Sequence, residues 1–272
     1  MYKLTNIFIY PIKGCAGISL DSAEILDRGI RYDRRWMLVD SEGKFISQRT
    51  HPKLALIETA ISDDWLFVSF EDETHQIPLN ASYSAHRQVT VWDDTLKAYA
   101  ADSTDNDWFS RQLGIPVTLV AMQEDSKRLV DPRYAVSGQE EVSFADGYPY
   151  LIIGEPSLEM LNRKVGGETL LIDRFRPNLV FEGGTAHDED RWRSFVIGEV
   201  GFYGVKPCAR CQVTTINQQT GESGKEPLIS LSRYRKQGNK VLFGQNCLSR
   251  AGGVIRVGDQ ISVEELGKPL FP

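Results

Sequence analysis

The chain has 272 residues, 41% hydrophobic and 25% charged, with a formal charge of −6 at pH 7. That length holds one large or two small domains with a full core. The acidic balance excludes a general nucleic-acid coat, so any anion site must be a local basic pocket. Four unevenly spaced cysteines make no disulfide framework and fit a reducing cytoplasm. There is no apolar run of the ~18 residues a membrane span needs, and Met1 to Asn6 lacks a signal peptide's apolar core. The expectation is a cytoplasmic protein that engages neither a membrane nor a nucleic-acid polymer.

In chain order, the first ~100 residues punctuate as short strands and turns. Leu4 to Ile12 alternates loosely and ends at Lys13-Gly14-Cys15-Ala16-Gly17. Trp36–Val39 and Phe45–Gln48 flank Asp40-Ser41-Glu42-Gly43-Lys44, a hairpin signal. Trp65–Val68 follows the turn Ser62-Asp63-Asp64, and Val89–Trp92 and Leu96–Tyr99 flank Asp93-Asp94-Thr95. Strands at this spacing predict a β-barrel or sandwich. Ser103–Leu113 has apolar Trp108, Phe109 and Leu113 at helical offsets, stopped by Gly114. Pro156–Val165 opens with Pro and ends at Gly166-Gly167, and a third short helix runs from Pro227 to about Tyr234. The change of texture after the first helix predicts two domains, 1–120 and 121–272. The remainder, including Gln212–Ile216 and Val254–Ile261, is strand and turn. The fold class is mainly β with a few short helices.

Cys208-Ala209-Arg210-Cys211 carries the most chemistry. A thiolate binds metals or attacks, and nearby positive charge lowers a Cys pKa from about 8.5 toward neutrality. Three readings stay open on spacing alone. A structural zinc site needs two further ligands, but Cys15, Cys247 and the four histidines are not at paired spacing. A thioredoxin-like redox pair opens a helix, whereas a strand is predicted here. The third reading is a pair of half-buried cysteines serving as small hydrophobes.

Five motifs in order then give a family resemblance: Ile9-Tyr10-Pro11-Ile12-Lys13-Gly14-Cys15, Asp33-Arg34-Arg35-Trp36, Phe175-Arg176-Pro177-Asn178, Cys208-Ala209-Arg210-Cys211 and Gly252 through Asp259. Together they resemble the MOSC family over nearly the whole chain, in the branch with an N-terminal β-barrel domain. Its members include the mitochondrial amidoxime-reducing component and bacterial reductases of N-hydroxylated compounds. The resemblance implies a β-barrel MOSC domain, an N-terminal β-barrel-like domain and a molybdenum cofactor, the metal held by a pterin dithiolene and a protein cysteine.

What the resemblance assigns is specific. Cys211 matches the metal ligand and Cys208 its neighbour, with Ala209 and Arg210 beside the cofactor. Lys13, Gly14, Arg34 and Arg176 match cofactor-contacting positions, where Arg offers phosphate a planar fork and Lys a point charge. Asn178 matches a pterin hydrogen-bonding position. Asp146, in the Asp146-Gly147-Tyr148 loop, matches a residue that orients cofactor or substrate, or shuttles the proton that reduction consumes. Each has a plainer alternative: solvated charges for Lys13 and Arg176, an ion pair with Asp33 for Arg34, turns for Asp146 and Asn178. Gly14 and Ala209 depart from the family by replacing Ser, which leaves backbone amides for phosphate. The implied activity is reduction of hydroxylamines, amidoximes or N-hydroxylated nucleobases, with electrons from a separate flavin reductase or ferredoxin-type protein. The alternative is a carrier of molybdenum cofactor or of persulfide sulfur, linked to pyridoxal-phosphate-dependent sulfurases.

Overall fold

The computed structural model describes residues 1–271. Strands take 41% of the chain and helices 17%, so the mainly β expectation holds. Seven strands close into a barrel in the order Tyr150–Gly154, Leu179–Glu182, Tyr2–Ile9, Gln260–Leu266, Trp192–Ile197, Val200–Ala209 and Lys240–Ser249, the last pairing with the first. Closure leaves no edge strand to pair with another chain. The one parallel neighbour pair in this ring, Tyr150–Gly154 beside Leu179–Glu182, is buried almost throughout, as a near-continuous apolar run demands. Val200–Ala209 instead alternates at its start, with Val200, Phe202 and Gly204 inward. Gly204 sits at a register shift, where a Cβ would lie 2.0 Å from the Trp192 carbonyl oxygen; only glycine lets the two backbones approach so closely.

The first strand belongs to this second-half barrel. Leu4 and Ile7 are fully buried in its core with Tyr150, Phe181, Trp192 and Phe202, and a bulge between Leu4 and Asn6 shifts the register. The bulge explains the loose alternation in the sequence, because it resets which face each residue takes. From there the chain passes into a five-stranded sheet (His86–Val91, Asp94–Ala100, Thr118–Ala121, Trp36–Val39, Ile12–Lys13) and a three-stranded one (Glu58–Ser62, Trp65–Phe70, Glu73–Pro78). Trp108, Phe109 and Leu113 of the helix Ser103–Leu113 fill the core with Trp36, Leu38, Leu66 and Val68. Gly114, at φ 69, caps that helix with its N–H on the Ser110 carbonyl. The helices Glu155–Val165 and Leu228–Tyr234 also form where predicted.

Three local expectations are corrected. The second arm of the Asp40–Lys44 hairpin shrinks to isolated bridges at Lys44 and Phe45. The turn near Asp93 is one residue earlier: Val91 faces Asp94 across the two-residue tip Trp92-Asp93. Gln212–Thr215 is a 3₁₀ turn, not a strand. There Thr214 and Thr215 donate their hydroxyls to the carbonyls of Cys211 and Gln212 at 2.9 and 2.8 Å, local bonds that compete with strand pairing.

One buried acid gives stability a pH dependence. Glu189 is fully buried; it accepts both Ser157 hydroxyl contacts (2.8 and 2.9 Å) and the Gly154 N–H. Burial, then the nearby Asp190, pushes it from 4.5 up to about 7. Between those values the folded state binds more protons than the unfolded, so this group's contribution falls as pH rises. His187, pushed by burial from 6.5 to about 3, tilts the curve the opposite way between those values. Comparing Glu189→Gln with wild type cancels the His187 slope. The stability difference (variant minus wild type) is expected to grow by about 3 kcal/mol from pH 4.5 to pH 8, measured by urea unfolding across that range. A pH-independent difference would refute it.

Candidate functional site

The cysteine segment, the Asp146 loop and the basic motifs meet at one cleft of about 140 Å³, partly open to solvent. Every residue singled out in the sequence, Lys13, Gly14, Arg34, Asp146, Arg176, Asn178, Cys208, Ala209, Arg210 and Cys211, lines it. Its wall carries five cations, Lys13, Arg34, Arg49, Arg176 and Arg210, against one carboxylate, Asp146. In a protein of net charge −6, that concentration is a local anion site.

Backbone geometry sets the basic residues. Lys13 ends the two-residue strand paired in parallel with Trp36–Met37. Its ammonium is largely buried and donates to the Phe144 carbonyl at 2.8 Å and to Asp146 Oδ1 at 2.6 Å. Gly14, next in the chain, sits at φ +94, a conformation that disfavours any side chain. Arg34 and Arg176 both occupy the left-handed region, at φ 49 and 53; non-glycine residues there cost about 1–3 kcal/mol each and concentrate at functional sites. Their guanidinium groups pack on the Tyr10 ring, 4.4 and 4.2 Å from its centroid. Cation–π attraction to the shared ring offsets part of their mutual repulsion.

The two arginines are satisfied differently. Arg34 donates to Asp33 at 2.7 Å, to Asn178 Oδ1 at 3.1 Å and to the Arg176 carbonyl at 3.1 Å, so the ion-pair alternative is realised while Arg34 still lines the cleft. Arg176 has only a long 3.4 Å contact to Gln218, and its Nη2 is buried without a partner. Burial, with Arg34 adding to it, pushes its pKa down. A half-buried cation with a spare donor is the observation that fits an anionic tail such as a pterin phosphate. Asn178, which also lines the cleft, is bonded within the protein. Its Oδ1 accepts from Arg34 and the Leu151 N–H, and its Nδ2 donates to the Phe8 carbonyl. It positions Arg34.

At the sulfur end, Arg210 donates to the Phe175 carbonyl at 2.7 Å and to Cys208 Sγ at 2.9 Å, and its Nε is buried without a partner. Cys211 begins the 3₁₀ turn, with its carbonyl accepting from Thr214. Among the described residues its thiol has no hydrogen-bond partner, so it faces the cleft uncommitted. No group of three or more His, Cys, Asp or Glu converges as a metal site among those residues. A structural zinc therefore lacks a donor set. A metal whose remaining ligands come from a dithiolene fits a wall with one free thiol.

Asp146 accepts from Lys13 and, at 3.1 Å, from the Trp92 indole N–H. Desolvation in the cleft opposes its ionisation, but the Lys13 charge and these hydrogen bonds outweigh it and hold the carboxyl well below the usual range. With its side chain 70% exposed at the cleft mouth, Asp146 is positioned by Lys13 and Trp92. For the reductase activity that the resemblance implies, Asp146→Asn is expected to lower kcat/KM about tenfold, evenly from pH 5 to 8. A change in the acidic limb of its pH–rate profile would restore the shuttle.

Two residues that shape the cleft escaped the motif reading, Arg49 in its wall and Tyr10 behind Arg34 and Arg176. Tyr10 stood inside a quoted motif without a role. Arg49 packs on the rings of Trp92 at 4.4 Å and Phe45 at 5.6 Å, and no carboxylate lies within ion-pair distance of it among the described residues. The only sequence signal was a basic residue after Ser47-Gln48, too common to single out.

Comparison with known proteins agrees with this architecture. The MOSC N-terminal beta barrel domain matches residues 1–116 and the MOSC domain matches residues 139–262. The chain is 31% identical over 277 residues to mitochondrial amidoxime-reducing component 1 of Mus musculus, covering 95% of this chain and 81% of that one. It is 32% identical over 261 residues to a molybdenum cofactor sulfurase of Oryza sativa subsp. japonica, covering 89% of this chain, and 32% identical over 288 residues to one of Solanum lycopersicum, covering 95%. It spans only about a third of the length of those sulfurases, 32% and 35%. No helix is long and apolar enough to cross a membrane among the described residues. With both domains matched in order around one cationic, thiol-bearing cleft, the chain belongs to the MOSC family.

Proposed function

We propose that the protein is a molybdenum-dependent reductase of N-hydroxylated compounds. The observation that carries the reading is the pairing of an uncommitted Cys211 thiol with the under-satisfied Arg176 guanidinium in one cleft. Cys211 is placed to hold the metal, and Arg176, Arg34 and Lys13 to hold the anionic tail of the pterin. Tyr10 spaces the two arginines, Asn178 orients one of them, and Asp146 keeps Lys13 charged and in place. The chemistry that a molybdenum dithiolene supplies when bound is two-electron redox at a centre able to take oxygen from nitrogen. The overall reaction is R–NHOH + 2e⁻ + 2H⁺ → R–NH₂ + H₂O, with electrons from a separate flavin- or ferredoxin-type donor protein. The amidoxime-reducing relative, matched over four-fifths of its length, supports this choice.

A second reading has support of its own: the same two domains make up about a third of molybdenum cofactor sulfurases, which favours a carrier of cofactor or persulfide sulfur. The experiment is assay of molybdenum and pterin in protein from a cofactor-competent host, followed by reduction of an N-hydroxylated base with a chemical electron donor. Absence of both metal and pterin ends the proposal. A loaded protein with no turnover, whose Cys211→Ala variant keeps cofactor but fails in sulfur transfer, selects the carrier.

A further inference from the structure

The longest stretch without a helix or a strand runs between Thr118–Ala121 and Tyr150–Gly154, and one side chain organises it. Arg128 lies there, in the segment between the two matched domains, with its side chain only 3% exposed. Its guanidinium donates four bonds. Nε meets Asp94 Oδ2 at 2.7 Å, Nη1 meets the carbonyls of Ser143 (2.9 Å) and Ala145, and Nη2 meets the Asp146 carbonyl at 3.0 Å. The remaining carbonyl of that loop, on Phe144, accepts from the Lys13 ammonium at 2.8 Å. Ser143, Phe144 and Ala145 are buried outside any strand, so their carbonyls have no ladder to join and two cations satisfy them instead.

The same bonds lock the loop to the first half of the chain. Phe144 is fully buried among Met37, Val39, Val89, Val91 and Leu96, and its N–H donates to the Arg34 carbonyl at 3.0 Å. Asp94 follows the hairpin tip Trp92-Asp93, and the Trp92 indole reaches back to Asp146 Oδ1 at 3.1 Å. The contacts close a circuit in which Arg128 grips Asp94 and the Asp146 backbone while Trp92 grips the Asp146 carboxylate. Trp92 holds φ 57, a costly conformation for a large residue that persists only where its surroundings fix it. Lysine could not complete the circuit, because it presents one compact charge where the planar fork of Arg reaches an acid and three carbonyls together.

We propose that Arg128 is a positioning residue of the cleft: by tying the Ser143–Asp146 loop to the hairpin at Asp94, it sets where the Asp146 carboxylate meets Trp92 and Lys13. Arg128 stands behind the loop, outside the cleft wall, and acts on Lys13 only through Asp146 and the Phe144 carbonyl. The inference rests on the reductase reading for its pterin readout alone.

The test uses ¹⁵N-labelled protein from the cofactor-competent host, in which the five tryptophans give separate indole N–H signals. The Trp92 signal is the one missing from Trp92→Phe, and Asp146→Ala gives its position once the bond is lost. Arg128→Lys is expected to move that signal at least halfway to the unbonded position while the other four stay in place. Pterin retained per protein should fall about fivefold with it, the scale of one lost hydrogen bond. Should Arg128→Lys fail to fold, Asp94→Ala decides, since that side chain is 51% exposed and its loss cuts only the hairpin anchor. There the Trp92 signal should move in the same direction. An unmoved Trp92 signal overturns the proposal, and so does full pterin retention in a variant whose signal has moved. A shifted Trp92 signal in protein that never loads pterin, wild type included, leaves the role of Arg128 standing and removes the reductase reading instead.

Discussion

Cys211→Ser should abolish reductase turnover by about a thousandfold or more, with metal retention reduced and the fold unchanged. Loss of residues that merely orient metal ligands already costs 10–100-fold, so loss of the ligand atom should exceed it. Serine is nearly isosteric, and position 211 is only half-buried with its backbone turn secured through the Cys211 carbonyl rather than the thiol. The unfolding midpoint is therefore expected to shift by no more than about 2 °C. Cys208→Ser is the necessary companion. It removes the sulfur that accepts from Arg210 at 2.9 Å, but the hydroxyl can accept the same bond, so turnover should fall less than tenfold. If Cys208→Ser proves the inactivating change, the ligand assignment passes to Cys208.

Reversing the charge at Arg176 has the second largest expected effect. Arg176→Glu should leave less than about a tenth of wild-type pterin in the purified protein. A charge-assisted contact contributes about 1.5–3 kcal/mol, and the introduced carboxylate adds repulsion. Pterin fluorescence after oxidative release and elemental molybdenum analysis give the readout. The same substitution should stabilise the cofactor-free protein by about 1 kcal/mol. It replaces a half-buried, under-satisfied cation beside Arg34 with a carboxylate able to pair with it, and both side chains meet the same backbone strain at φ 53. Gain in apo stability together with loss of pterin would show that Arg176 is kept for binding at the fold's expense. Full pterin occupancy in the variant would remove Arg176 from the binding set.

These two changes concern residues legible in the motifs, and the reason is physical. Lys13-Gly14, Asp33-Arg34, Arg176-Pro177-Asn178 and Cys208–Cys211 are short runs in which charge, sulfur and special backbone conformations coincide, so each leaves a local mark. Gly114 and Gly166, both left-handed caps, made two helix ends legible in the same way. Where local signals conflicted, the reading failed. Gln212–Thr215 has β-forming composition, yet its threonine hydroxyls bond back to the preceding carbonyls. Trp92 looked like the end of a strand and lies at the tip of the turn.

The sequence by itself determined the mainly β class, the three helices, the family and the basic and sulfur residues of the cleft other than Arg49, because those depend on periodicity, capping and contiguous motifs. Only the tertiary structure decided that Tyr2–Ile9 joins strands from the far end of the chain, that Asn178 serves Arg34, that Arg176 is the under-satisfied cation and that Trp92 and Arg49 reach the site. Each of these is a contact between residues tens to hundreds of positions apart, made when the barrel closes and the sheets pack against it, and no period of two or 3.6 residues encodes such a neighbour.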